Sequence, residues 1–168
     1  MIHVCSLARL KETVEATGAR RVVTLIDIGT PVTRPDSIDV AHHLHLEIHD
    51  ISLPLDGYIH PQEQHVAKLI EFVRAWDQAS PLVVHCYAGI SRSTAAAYTA
   101  ACTIHPDRDE RDIARALRAA SPTACPNRLI VSLADRLLGR DGRMVAAIES
   151  IMPHTPCLSA EPFCITLD

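Results

Sequence analysis

The sequence has no excess of basic residues, no long apolar run, no paired-cysteine motif and no internal repeat. Each absence removes a class of function. With 16 lysines and arginines against 20 aspartates and glutamates, the formal charge is −4 at pH 7. Broad binding to nucleic acid or anionic membrane needs a basic surface, so neither a stable nucleic-acid partner nor a membrane is expected. An anionic ligand would have to be attracted locally, by a few placed cations and backbone donors. The opening "MIHVCSLARL" is too short an apolar run for a signal peptide or membrane span, and it lacks a basic lead-in. Cys5, Cys86, Cys102, Cys125, Cys157 and Cys164 are scattered without a Cys-x-x-Cys pair. Without a secretion signal they read as reduced thiols of a cytoplasmic protein, not as a disulfide framework.

What is present is ordinary globular sequence, 48% apolar and 21% charged, and 168 residues suit one domain with a sizeable core. "RVVTLID" (21–27) and "PLVVHC" (81–86) are short, β-branched and uninterrupted, as strands covered on both faces are. "HHLHLEIHD" (42–50) alternates, with Leu44, Leu46 and Ile48 on one face, and "IHVCSL" (2–7) suggests an edge strand. Helical patterns lie between and after them, at 9–17, 62–78, 92–102, 108–120, 127–138 and 142–152. Strands alternating with helices predict an α/β fold: a central, mostly parallel sheet of four to five strands flanked by helices, with a helical C-terminal half. One domain is expected over residues 1–152, with an irregular tail at 153–168 packed on or near it.

The chemistry concentrates in "VVHCYAGISRST" (83–94), where an apolar strand meets Cys86 and then a small, hydroxyl-rich stretch broken by Arg92. In an open α/β sheet, ligands bind at the carboxyl ends of strands, where loops lead into helices. Tyr87, Ala88, Gly89, Ile90 and Ser91 form such a loop, and its amides can converge on one centre. A helix opening at Arg92 adds N-terminal donors and partial positive charge. The result is an anion cradle with a sulfur at its base and a guanidinium at its rim. A helix N-terminus and nearby cations lower a cysteine pKa from about 8.5 to roughly 3.5–7.5, so Cys86 is expected to be a ready nucleophile. Arg92 can hold two phosphate oxygens bidentately, and Ser93 can offer its hydroxyl to the sulfur when the sulfur leaves.

"HCYAGISRS" resembles the signature loop of the cysteine-dependent protein tyrosine phosphatases, especially the small dual-specificity branch. His85, Cys86, Arg92 and Ser93 fill its His-Cys-x5-Arg-Ser/Thr pattern. "SPTACPNRLIVSLADRLL" is similar to the stretch where such enzymes carry a Pro-Asn pair opening a late helix, here Pro126 and Asn127. The similarity covers roughly residues 20–138. The resemblance implies a phospho-cysteine intermediate on Cys86, later hydrolysed by water, with no metal or other cofactor. His85 is expected to hydrogen-bond the backbone and tune loop geometry.

A departing alkoxide or phenoxide needs a proton, and the attacking water needs a base. In the family this is an aspartate on a loop after an earlier strand. Asp50, ending "HLEIHD", lies at the same predicted sheet edge as Cys86 and is preferred. Asp56 in "PLDGY" sits in a turn with Gly57, where aspartate is common for local reasons. His43, His45 and His49 share a strand face, but nothing completes a metal site of fixed geometry, and half-exposed strand histidines are the better reading. Arg34 is a candidate for one wall of the cleft, and Arg128 for a place near the pocket. A solvated loop and a helix surface are the plainer readings.

The leading function is hydrolysis of phosphotyrosine in a phosphorylated protein, with phosphoserine and phosphothreonine left open as further substrates. A non-protein phosphomonoester (an inositol phosphate, a phosphoinositide or an RNA 5′ end) is the alternative, weakened because "YAGIS" carries no cation. A catalytically silent phosphate-binding module is disfavoured by the joint presence of Cys86, Arg92, Ser93 and a candidate acid. Arsenate reduction or sulfur transfer would need a relay cysteine pair that the sequence does not show. The oligomeric state cannot be read from the sequence.

Overall fold

The computed structural model describes residues 1–167. Five strands form one sheet in the order β3-β2-β4-β1-β5, where β1 is Ile2–Ser6, β2 Arg21–Ile26, β3 His43–Glu47, β4 Leu82–Cys86 and β5 Phe163–Ile165. The first four run parallel, and β5 lies antiparallel to β1. The six helices are α1 Leu10–Thr17, α2 Glu63–Arg74, α3 Arg92–Ile104, α4 Glu110–Ala120, α5 Arg128–Leu137 and α6 Arg143–Ser150. This is the expected α/β architecture with a helical second half. Two details differ. The "IHVCSL" strand is internal, because β5 takes the edge beside it. The tail is irregular only in part, since Phe163–Ile165 pairs with Ile2–Val4.

All five residues of β4 are buried, which is why that strand reads as a continuous apolar run. The larger core lies on the face covered by α2 to α6, with Val84, Leu25 and Leu46 from the sheet packed among Leu69, Val73, Ile113, Leu117 and Ile130. A smaller core of Cys5, Leu10, Val14, Val22, Ile38 and Val83 sits under α1 on the other face.

Helix α3 runs through the middle of the helical half, in contact with α2, α4, α5 and the sheet. Residues Arg92 to Cys102 are all buried. A helix can be enclosed this completely because its side chains are mostly alanine, serine and threonine, which let neighbours approach. It is therefore a rigid support whose N-terminus opens directly onto the loop after β4. Helix α5 begins at a second fixed point: the Asn127 side chain accepts from the amides of Leu129 and Ile130, at 3.1 Å each. Among the described residues, no helix is long and apolar enough to cross a membrane.

Candidate active site

Cys86 is the last residue of β4 and Arg92 the first of α3, so the loop Tyr87–Ser91 spans the gap between the sheet edge and the helix N-terminus. Four of its five carbonyls accept from backbone amides outside the loop. Tyr87 O accepts from Leu7 N (3.2 Å), Ala88 O from Ala160 N (2.9 Å), Ile90 O from Cys125 N (2.9 Å) and Ser91 O from Asn127 N (3.3 Å). Among the described residues, the amides of Ala88, Gly89, Ile90 and Ser91 donate to no protein acceptor. A loop with its carbonyls committed outward turns its amides inward, which makes an anion-binding nest.

Gly89 is required on two counts. Its φ is +74°, and a Cβ there would lie 2.9 Å from the Cys5 carbonyl carbon. The loop thus lies directly on the end of β1.

The Cys86 sulfur is buried and stands 3.1 Å from the Ser93 hydroxyl in the first turn of α3. Ser91, which precedes that turn, does not cap the helix with its side chain. Its hydroxyl donates instead to Asp50 Oδ1 at 2.7 Å. The first amides of α3 are left to face the loop centre.

Arg92 shows how the cradle is held. Its side chain is only 4% exposed. Nη1 donates to Asp27 Oδ1 (2.7 Å) and to the Ile48 carbonyl (2.6 Å). Asp27 lies one residue past β2 and Ile48 one residue past β3, so two strand ends grip a single nitrogen. Nε is buried with no hydrogen-bond partner among the described residues, the nearest carboxylate oxygen being Asp50 Oδ2 at 3.9 Å. A buried N–H without an acceptor costs about 1–3 kcal/mol. A tetrahedral oxyanion at the loop centre would supply that acceptor.

Asp27 was not singled out from the sequence. The available signal was a carboxylate just past an apolar strand, the same criterion that selected Asp50.

Asp50 itself lies three residues beyond the end of β3, not at its last residue. Besides the Ser91 hydroxyl, its Oδ1 accepts from Asn127 Nδ2 at 2.9 Å. Asn127 therefore caps α5 with its oxygen and tethers the Asp50 loop with its nitrogen, which gives the Pro126-Asn127 pair a physical task. Asp56 lies in the exposed turn with Gly57, and no hydrogen bond or ion pair joins it to the loop among the described residues.

The other sequence candidates separate cleanly. Tyr87 points its ring to solvent at 65% exposure, so only its backbone belongs to the loop. His85 is fully buried, and its Nε2 lies 2.7 Å from Thr24 Oγ1. Burial pushes its pKa down to about 4, with the Cys86 backbone acting in the other direction. Arg34 is exposed and turns back to donate to the Ile38 carbonyl of its own loop. Arg128 pairs with Glu149 at 2.8 Å. Arg128 and Glu149 line a cavity of about 370 Å³ that reaches Asp50, Ser91 and Asn127. His49 Nδ1 accepts from Ile59 N, and His43 bonds Thr24, so these rings have partners other than a metal.

A family model described as protein-tyrosine phosphatase matches residues 33–125. The chain belongs to the protein-tyrosine phosphatase family. Among solved structures, that of DUSP15 superposes with a TM-score of 0.64 at 18% identity, covering 92% of this chain and 94% of that one. Human DUSP28 gives 0.62 at 18% identity, with 83% and 88% covered. PTPMT1 in complex with PI(5)P gives 0.60 at 14%, with 83% and 91% covered. At these identities the likeness is one of fold, and it agrees with the dual-specificity branch that the loop resembles. No curated protein matches the sequence.

In this phosphatase fold the grip of Asp27 on Arg92 should be measurable. Asp27→Ala leaves the guanidinium oriented by the Ile48 carbonyl alone and is expected to weaken vanadate binding about tenfold, equal to roughly 1.4 kcal/mol of lost orientation. Asp27→Asn, which keeps an acceptor, should lose less. Tighter vanadate binding in either variant, read by calorimetry, would show that the aspartate matters only as an opposing charge.

Proposed function

We propose that the protein hydrolyses phosphomonoesters on phosphotyrosine, and on phosphoserine or phosphothreonine, of protein substrates through a phospho-cysteine intermediate. The observation that carries this reading is a loop of free amides between the Cys86 sulfur and Arg92, whose buried Nε has no hydrogen-bond acceptor among the described residues. Three phosphoryl oxygens would take the amides and the guanidinium. The sulfur would then attack phosphorus in line with the departing oxygen.

Asp50 is tethered at the rim by Ser91 and Asn127. It donates a proton to the leaving oxygen, and its carboxylate then takes one from the water that attacks the thiophosphate. Phosphorus–sulfur cleavage returns the electron pair to Cys86, where the Ser93 hydroxyl stabilises the sulfur. Inorganic phosphate leaves, and no metal or other cofactor enters the cycle.

The surroundings favour a protein substrate. The loop carries no cationic side chain, and the segments bordering it present exposed Ile28, Leu53, Leu55, Tyr58 and Tyr87. Such a rim suits apolar residues flanking a single phosphoryl group, whereas a polyanion is drawn by clustered cations. The PI(5)P complex of PTPMT1 keeps an inositol lipid as the second reading, since that fold admits one. Six unpaired thiols suit a reducing compartment such as the cytoplasm.

Two measurements test the proposal. Across phosphopeptides, inositol phosphates and RNA 5′ ends, kcat/KM should be highest for phosphopeptides. A preference for inositol phosphates would transfer the site to the second reading, and no turnover of any substrate would leave a binding module. Asp50→Ala should slow esters with poor leaving groups by about a hundredfold or more, while barely affecting p-nitrophenyl phosphate. The same pattern in Asp56→Ala instead would move the acid to that residue.

A further inference from the structure

Thr24 stands in the middle of β2, fully buried, between two imidazoles that come from the strands on either side. In register it faces His85 on β4 and His45 on β3. Its hydroxyl lies 2.7 Å from His85 Nε2 and 2.7 Å from Nε2 of His43, the first residue of β3. A threonine hydroxyl has one proton to give and lone pairs to receive. One imidazole nitrogen must therefore accept from Thr24 while the other donates to it.

Both rings are neutral near physiological pH. Burial lowers each to about 4, and His45, at 5.7 Å between ring centroids, and Arg34 add their opposition at His43. Each ring is thus a single tautomer, chosen by its hydrogen bonds.

The direction follows from the far side of His85. Its Nδ1 is buried with no hydrogen-bond partner among the described residues, and the Cys86 backbone acts on the ring in the direction that keeps a proton on it. With Nε2 committed to Thr24, Nδ1 is the ring nitrogen left for that backbone, which assigns it the hydrogen and leaves Nε2 bare. Thr24 then donates to His85, and His43 donates to Thr24.

We propose that His43 is a positioning residue for the Cys86 reaction: its Nε2–H orients the Thr24 hydroxyl, which holds His85 in the tautomer whose Nδ1–H faces the Cys86 backbone. The chain crosses three strands and ends at the base of the phosphate loop. It gives a half-buried histidine on the sheet edge a task that a merely packed side chain would not have. It rests on the reading of Cys86 as the reacting sulfur, but it does not depend on which phosphomonoester is the substrate.

The test uses the full chain labelled with 15N in its histidines. In the unsubstituted protein, side-chain shifts should show His85 as the Nδ1–H tautomer and His43 as the Nε2–H tautomer. His43→Leu, which removes the donor, should give His85 a mixture of tautomers and slow iodoacetate alkylation of Cys86 near neutral pH by about two- to tenfold, the span of one ordinary hydrogen bond. His43→Gln, which offers an N–H in its place, should recover most of the rate.

An Nε2–H tautomer at His85 in the unsubstituted protein would overturn the proposal. So would a folded His43→Leu protein with unchanged tautomer and alkylation profile. If the leucine variant fails to fold, the tautomers of the unsubstituted protein still decide the direction of the chain. Neither readout needs a substrate. Failure of the phosphatase reading would appear separately, as absent phosphopeptide turnover in a protein whose relay behaves as described.

Discussion

A guanidinium almost wholly removed from solvent is the constraint around which the site is built. Isolated, it would carry a large desolvation penalty. Here a carboxylate after β2 and a carbonyl after β3 converge on its Nη1 at 2.7 and 2.6 Å. The buried charge thus ties together the ends of two parallel strands and the first turn of α3. Because the close hydrogen bonds are confined to one nitrogen, Nε keeps no hydrogen-bond acceptor among the described residues, with Asp50 Oδ2 3.9 Å away. A rigid helix of small side chains behind Arg92 keeps that geometry from relaxing.

The loop is held with the same logic in reverse. Four of its carbonyls are taken by three separate segments: the turn after β1, the tail before β5, and the stretch ahead of α5, which supplies the backbone amides of Cys125 and Asn127. The tail therefore helps to shape the cradle, through Ala160 on the Ala88 carbonyl, even though it lies far from the signature in sequence. Asn127 links three functions in one side chain and its amide: it caps α5, supports Ser91 O, and tethers Asp50. Phosphate would meet a surface of donors already in place, which is where electrostatic stabilisation of a phosphoryl group is strongest.

Much of this was legible in the sequence because it is local. Cys86, Arg92 and Ser93 sit within one strand–loop–helix unit, and burial of β4 on both faces writes itself as an unbroken apolar run. Asp50 could be placed by its position after an alternating strand, although β3 stops at Glu47 and the aspartate belongs to the following loop. Asp27 was missed because its importance depends on which strand lies beside which. Parallel order β3-β2-β4 is what puts it against Arg92, and no periodicity encodes that order. Similarly, His43 reads as a half-exposed strand residue until its ring nitrogen is seen 2.7 Å from the Thr24 hydroxyl. Three-residue β5 is too short for an alternating pattern to declare itself, so β1 looked like an edge.

The most direct test of the central claim is capture of the covalent intermediate. Enzyme mixed with a rapidly hydrolysed aryl phosphate and quenched in acid within the first turnovers would be digested and its peptides weighed. A phospho-cysteine mechanism predicts one added phosphoryl group on the peptide containing Cys86, absent from Cys86→Ser. Steady turnover with no phosphoryl group on that cysteine at any quench time, or turnover persisting at full rate in Cys86→Ser, would contradict it.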